Sequence, residues 1–264
     1  MTEADAPIHS SKNPLFRRFR SMKEGGDGLC LLEGPKLVEE ALLSGIAVLE
    51  AAAAPRAGRS ERGRRVLAAL REGGVPVRAM DERLVDALSE AETSQGLLAL
   101  ARRPEFAEES LFPPGALVVV AVGVQDPGNL GGLLRTAEAA RASGAYLTEG
   151  TADPFSWKAL RGSMGSAFRL PHLRGLLPGE AVRRARERGL AVLAAAADGD
   201  VPYDRADLRR PFALLLGREG GGLPEELVRS ADERLAIPLA GPVESLNVGV
   251  AAGILLFEAA RQRR

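Results

Sequence analysis

Three stretches of the sequence set Arg, Glu, Ser and Asn side chains among glycines and prolines directly after an apolar run. They are VGVQDPGNLGGLLRTAEAA (Val122–Ala140), LLLGREGGGLPEE (Leu214–Glu226) and IPLAGPVESLNVG (Ile237–Gly249). Within them stand Asn129, Arg135, Glu219, Ser245 and Asn247. Each residue alone has an ordinary explanation. Asn129 can cap the helix that follows it, Ser245 and Asn247 are both N-cap candidates, and Glu219 among glycines suits a solvated turn. Arg135 comes nearly two helical turns after Asn129 and need not face it. Taken together, three polar strand ends make a pocket with a few convergent polar groups and much main chain. Such a pocket suits a flat, neutral ligand such as an adenosine, held by apolar walls and backbone hydrogen bonds. A Gly-rich turn can also hold a phosphate on its N–H groups. However, neither GxGxxG between a strand and a helix nor GxxxxGK[ST] occurs, which argues against a nucleoside triphosphate.

The elements that must position these residues follow from hydrophobic periodicity and turn signals. The first half reads as strand LCLLEG, helix PKLVEEALLSG, strand AVLEAAAA, helix SERGRRVLAALREGG capped by Ser60, strand VPVRAM, helix DERLVDALSEAE capped by Asp81, and strand GLLALARR. This is an α/β unit of ordinary domain size. The acidic, proline-ended PEFAEESLFPPG (104–115) reads as a linker. The alternation then restarts with the continuous apolar run ALVVVAVGV, expected of a strand covered on both faces. Further strands are expected in AYLTEG, LPHLRG, LAVLAAAA, PFALLLG and ERLAIPLA. DPFSWKALRGSMGSAF reads as one helix with Asp153 as cap and Pro154 at its first position. Repeated βα alternation implies a largely parallel sheet with helices on both sides. Ligands of such sheets gather at the carboxyl ends of the strands, where the three polar stretches lie.

Composition narrows the function. The chain has 264 residues, with Lys+Arg and Asp+Glu both at 35, so net charge gives no support for nucleic-acid binding, although a local basic patch remains open. KNPLFRRFRSMK (Lys12–Lys23) is such a patch: it carries basic residues and no acidic ones. Phe16 and Phe19 give it an apolar edge, so it reads as a solvated helix face or, through interleaved aromatic and Arg residues, as an RNA contact. One Cys and two His exclude an internal disulfide and offer no zinc spacing, so no metal is expected. His9 and His172 have no Ser or Cys motif nearby, and ordinary surface or packing roles are expected of them. The polar N-terminus lacks an apolar signal core and no apolar run approaches a membrane span, so a cytoplasmic, membrane-free protein is expected.

DPGNLGGLLRTAEA, LLLGREGGGLPEEL and IPLAGPVESLNVGVAAGILLFEA resemble, in order, the three signature motifs of the SpoU/TrmH family of SPOUT-class RNA methyltransferases. The likeness covers about Ala116 to Arg264. A looser one, through KNP, LLEGPKLVEEAL and TSQGLLAL, relates about Lys12 to Arg103 to the family's substrate-binding domain, which resembles a ribosomal protein. The implied organisation is a polar tail at 1–11, an RNA substrate-binding domain at 12–103, a linker at 104–115 and a SPOUT methyltransferase domain at 116–264. The resemblance also implies a trefoil knot, a homodimer and methyl transfer from S-adenosylmethionine to a ribose 2′-hydroxyl. Ribosomal RNA is favoured over transfer RNA. By position, Gly217, Ile237 and Leu246 carry over as cofactor-binding residues. Asn129, Arg135, Glu219, Ser245 and Asn247 carry over as catalytic residues.

An arginine at the family's position is discussed as a general base. A guanidinium keeps its proton at neutral pH. Stabilising a developing alkoxide, or a bidentate phosphate contact, is the chemistry open to it. Three rival readings remain: an RNA-binding protein of this fold without catalysis, a base-nitrogen methyltransferase, and a nucleotide-dependent oxidoreductase. The last lacks its glycine fingerprint and ribose-binding acid.

Overall fold

The computed structural model describes residues 7–22, 28–218 and 220–264. The chain forms two compact units, one of Met1–Pro104 with Phe155–Phe168, the other of Glu105–Pro154 with Arg169–Arg264.

The first unit contains α1 (Pro14–Met22), β1 (Leu29–Glu33), α2 (Pro35–Leu43), β2 (Val48–Ala53), α3 (Glu61–Glu72), β3 (Val77–Ala79), α4 (Glu82–Leu88) and β4 (Leu97–Arg102). Its sheet runs β1-β4-β2-β3. β4 is antiparallel to both β1 and β2, and only β2 and β3 run parallel. Ser60 caps α3 as expected, its hydroxyl accepting from the Gly63 N–H at 3.0 Å. Asp81 precedes α4, but its carboxylate is bonded to His9 Nδ1 at 2.8 Å and makes no side-chain cap. Phe16 and Phe19 of α1 are buried in a core with Leu31, Leu98 and Leu100. These two aromatics therefore fill the core and do not stack on RNA. Arg17, Arg18 and Arg20 of the same helix are exposed, and Arg18 pairs with Glu50. Lys23, the end of the basic run, lies outside the described residues.

Residues 155–168 bring a separate piece of chain into this unit. The stretch expected as one helix is two: α6 (Trp157–Ser163) and α7 (Ser166–Arg169). Met164 adopts a left-handed conformation at φ 51° and ends the first. Ser156, not Asp153, precedes α6, and Asp153 instead accepts from Arg174 Nη1 at 3.0 Å. Phe155 and Phe168 stack with centroids 6.4 Å apart, with the Arg103 guanidinium 5.4 Å from the Phe155 centroid.

The second unit is built on a seven-stranded sheet. Its strands are β5 (Leu117–Ala121), β6 (Gly144–Thr148), β7 (His172–Leu176), β8 (Ala191–Ala195), β9 (Val201–Pro202), β10 (Phe212–Leu216) and β11 (Glu233–Ala236). The order is β7-β6-β5-β10-β8-β11-β9 and every pairing is parallel. All five residues are buried in each of β5, β6 and β10, which explains the unbroken apolar character of β5 and β10. The helices are α5 (Pro127–Ala139), α8 (Pro178–Glu187), α9 (Glu225–Ser230) and α10 (Val248–Gln262).

The 104–115 stretch holds a 3-10 turn at Glu108–Leu111, and Leu111 is fully buried in the core of the second unit. A Cβ at Gly144 would meet Leu111 Cγ at 2.5 Å, so β6 has glycine where this turn packs. The Tyr146 hydroxyl donates to Glu108 at 2.6 Å and Arg184 Nη1 donates to the same carboxylate at 2.9 Å. Burial acts to raise the Glu108 carboxyl, but Tyr146 and Arg184 outweigh it and hold the group below its ordinary range. Arg263 fixes the far end of α10: it donates to the carbonyls of Leu208, Gly115 and Arg210 at 2.7, 2.8 and 2.5 Å.

Candidate functional site

The three polar stretches leave the carboxyl ends of β5, β10 and β11. β5 and β10 are neighbours, paired to their last residues (Leu216 opposite Ala121), and β8 lies between β10 and β11. Because all are parallel, the three connections emerge at one end of the sheet.

The first connection is shaped by Asp126, Pro127 and the loop after β6. Asp126 is the N-cap of α5, its carboxylate accepting from the Asn129 N–H at 2.8 Å, and Pro127 occupies the first helical position. Asn129 is therefore not the cap. Its backbone is held by Asp126, which leaves its side chain for another use. Beneath it, Gly123 N–H donates to Thr148 Oγ1 at 3.3 Å, Thr151 Oγ1 donates to the Ala121 carbonyl at 3.1 Å, and Ala152 N–H to the Val124 carbonyl at 2.9 Å. Asp126, Thr148 and Thr151 thus set the loop, and none was singled out from the sequence. Asp before Pro at a helix start was a legible signal for the first of them. The two threonines act from a different connection and carry no local signal.

The third connection, 237–247, has no regular secondary structure and ends in Asn247, the N-cap of α10. Asn247 Oδ1 accepts from the N–H groups of Gly249 at 2.9 Å and Val250 at 3.3 Å. Its Nδ2 donates to Asn129 Oδ1 at 3.0 Å. One side chain therefore caps the last helix and also binds the first polar stretch across 118 positions of sequence. α5 and α10 pack on one another along this junction.

The second connection folds tightly on itself. Gly222 N–H donates to the Arg218 carbonyl at 2.9 Å, and Gly220 and Gly222 take positive φ of 70° and 60°. A Cβ built at Gly217 would fall 2.5 Å from the Leu223 amide nitrogen and closer still to the Gly222 carbonyl. Main chain alone fits there. Glu219 lies outside the described residues.

Of the remaining expected residues, Ile237 and Leu246 are half-buried at the two ends of the third connection, Ser245 is exposed, and Arg135 is exposed on α5. The structure joins Asn129 to Asn247 and puts Gly217, Ile237 and Leu246 at the same end of the sheet. Gly217 leaves room for main chain only, while Ile237 and Leu246 offer half-buried apolar side chains, the kinds of group that suit a flat, neutral adenosine. Among the described residues no cluster of His, Cys, Asp or Glu could hold a metal ion, and no helix is long and apolar enough to cross a membrane. His9 is bonded to Asp81 within the first unit, and His172 lies on β7, an edge strand of the second sheet. His172 is buried against Phe106, ring centroids 5.0 Å apart, with Nδ1 2.9 Å from the Leu170 carbonyl. Burial pushes its pKa down to about 4.

Residues 116–257 match the model of the SpoU rRNA Methylase family, and residues 31–107 match the model for RNA 2′-O ribose methyltransferase substrate binding. The chain is 37% identical to the 23S rRNA (guanosine(2553)-2′-O)-methyltransferase RlmP of Bacillus subtilis (strain 168), covering 95% of this chain and 97% of that one. Among solved structures it is similar to an RNA 2′-O ribose methyltransferase, at a TM-score of 0.86 and 33% identity over 98% of this chain and 99% of that one. It is also similar to the AdoMet-bound rRNA methyltransferase of Sinorhizobium meliloti, at a TM-score of 0.85 and 32% identity over 98% of both chains.

Proposed function

The chain belongs to the SpoU rRNA methylase family, and from that premise we propose that it transfers a methyl group from S-adenosylmethionine to a ribose 2′-hydroxyl of ribosomal RNA. The observation that carries the reading is the hydrogen bond between Asn129 and Asn247, which draws two of the three polar stretches together at the carboxyl end of the sheet. The AdoMet-bound relative from Sinorhizobium meliloti supports the cofactor, and the Bacillus subtilis relative supports ribosomal RNA.

Gly217, Ile237 and Leu246 would hold S-adenosylmethionine, mainly through main chain and apolar contact. When bound, the cofactor supplies an already activated sulfonium methyl group. The remaining work is to place a ribose oxygen in line and to manage its proton. Asn129 and Asn247 orient the ribose, each amide fixed by the other. Ser245, exposed beside them, offers a hydroxyl to the same sugar. Arg135 donates N–H bonds to the developing alkoxide or the neighbouring phosphate, since a guanidinium is a donor only. Glu219 is assigned to orienting Arg135 or a substrate group, on the family resemblance.

The substrate-binding half supplies RNA affinity, with the basic run of α1 as one contact. A homodimer is part of the same proposal. Val250 and Phe257 of α10 are two turns apart on one face and 52% and 50% exposed, an apolar pair that a second copy would cover. We place the protein in the cytoplasm, with its RNA.

The reading is tested by mapping 2′-O-methyl groups in total RNA from cells with and without the gene. Loss of one ribosomal position is expected, and purified protein with S-adenosylmethionine should restore it. An unchanged ribosomal map, or loss confined to transfer RNA, would overturn the ribosomal assignment. Sedimentation of the purified chain checks the dimer.

A further inference from the structure

A second concave site lies within the first unit. It is a cavity of about 210 Å3, and its lining includes Lys36 and Glu40 of α2, Gln95 before β4, and Trp157, Leu160 and Arg161 of α6. Pockets for drug-sized molecules usually measure about 300–1,000 Å3, so this one suits a single ring system. Trp157 and Leu160 give it an apolar wall. Trp157 is half-buried, and the Arg161 guanidinium lies 5.3 Å from its ring centroid. A cation thus already sits over the indole, and a flat heterocycle can take its place there. At the rim, Gln95 offers both a donor and an acceptor, and Glu40 an acceptor, for the polar edge of such a ring. The charges nearly balance, Lys36 and Arg161 against Glu33 and Glu40, so the lining does not select a phosphate cluster.

The residues come from both matched regions. Lys36, Glu40 and Gln95 fall within the substrate-binding match, and Trp157, Leu160 and Arg161 within the methylase match. Phe16 and Phe19 are buried, so Trp157 is the better-placed aromatic for a base. We propose that this pocket takes a single unpaired base of the RNA, stacked on the Trp157 indole. This inference rests on the RNA methyltransferase reading above.

Trp157 is the only tryptophan in the chain, so its fluorescence reports on this pocket alone. The full-length protein is titrated with single-stranded homopolymeric oligoribonucleotides of A, C and U, and with a fully paired RNA duplex. Saturable quenching by at least one single strand, and much weaker quenching by the duplex, is expected. In parallel, Trp157→Ala should weaken binding of a dye-labelled single-stranded RNA about tenfold or more, and Trp157→Phe should restore most of it. The slope of log affinity against log salt should stay unchanged, because no phosphate contact is removed. Single-stranded RNA that binds without altering the fluorescence would overturn the proposal, as would equal quenching by the duplex. Methylation of ribosomal RNA by the wild-type protein is scored alongside. If it proceeds while the fluorescence is silent, the pocket assignment alone fails. If it does not proceed, the functional reading fails and takes this inference with it.

Discussion

Asn247 Nδ2 donates to Asn129 Oδ1 at 3.0 Å while Asn247 Oδ1 accepts from two N–H groups at the start of α10. The two duties use opposite ends of one amide, so substitution can separate them. Asn247→Asp keeps an acceptor for the cap and loses the donor to Asn129. It should melt close to wild type and lose most methyl transfer. Asn247→Ala loses both, and the missing cap adds about 1 kcal/mol of destabilisation. Thermal melts beside single-turnover methylation check this. An Asn247→Asp protein of wild-type activity would reduce the residue to a helix cap.

Arg135 is exposed on α5, so its removal leaves the core untouched. Arg135→Ala should lower turnover by about two to three orders of magnitude, the usual effect of deleting one transition-state donor. Calorimetry should find S-adenosylmethionine binding nearly unchanged. Arg135→Lys should recover little if the contact is bidentate, because an ammonium cannot form a planar fork.

At Gly217 the neighbouring main chain leaves no room for a side chain. Since backbone cannot swing aside as a rotamer can, Gly217→Ala should displace the loop between β10 and α9. Affinity for S-adenosylmethionine should fall about tenfold or more, with a much smaller change in melting temperature. Unchanged affinity in calorimetry would remove Gly217 from the cofactor site.

His172 links stability to pH. Its folded pKa is depressed from 6.5 to about 4, chiefly by burial. Between those values the unfolded chain binds the extra proton, so its stabilising contribution is complete above about pH 6.5 and is lost as pH falls towards 4. The full loss is on the order of 3 kcal/mol. Glu108, held below 4.5, adds its own loss only at lower pH. Melting temperatures between pH 7 and 4.5 should therefore fall in wild type. His172→Asn should flatten that fall.

Much of the second unit was legible because its strands are buried on both faces and read as apolar runs, as in LVVVA of β5 and FALLL of β10. The clustering of three polar connections followed from parallel order alone. Pairing direction in the first sheet did not. β4 runs antiparallel to β1 and β2, and direction depends on which strands meet after the chain has folded back. At the break between α6 and α7, Gly165 at φ 92° is a legible breaker, but the left-handed Met164 before it carries no local signal of its own. At Asn129 the capping alternative does not hold: an aspartate three positions earlier is the cap, and the Asn129 side chain instead meets Asn247 near the far end of the chain.

The piece of chain at Phe155–Phe168 has a bearing on how the protein is made. The first unit lacks α6 until residue 168 has left the ribosome, and by then β5, β6 and α5 of the second unit have already been synthesised. The usual order, in which an N-terminal domain folds before its successor is made, cannot run to completion here. Leu160 and Phe168, buried in the finished protein, reach a first unit that must wait with part of its surface uncovered. Translation speed across residues 105–168 then sets how long that surface stays exposed to chaperones and to neighbouring nascent chains.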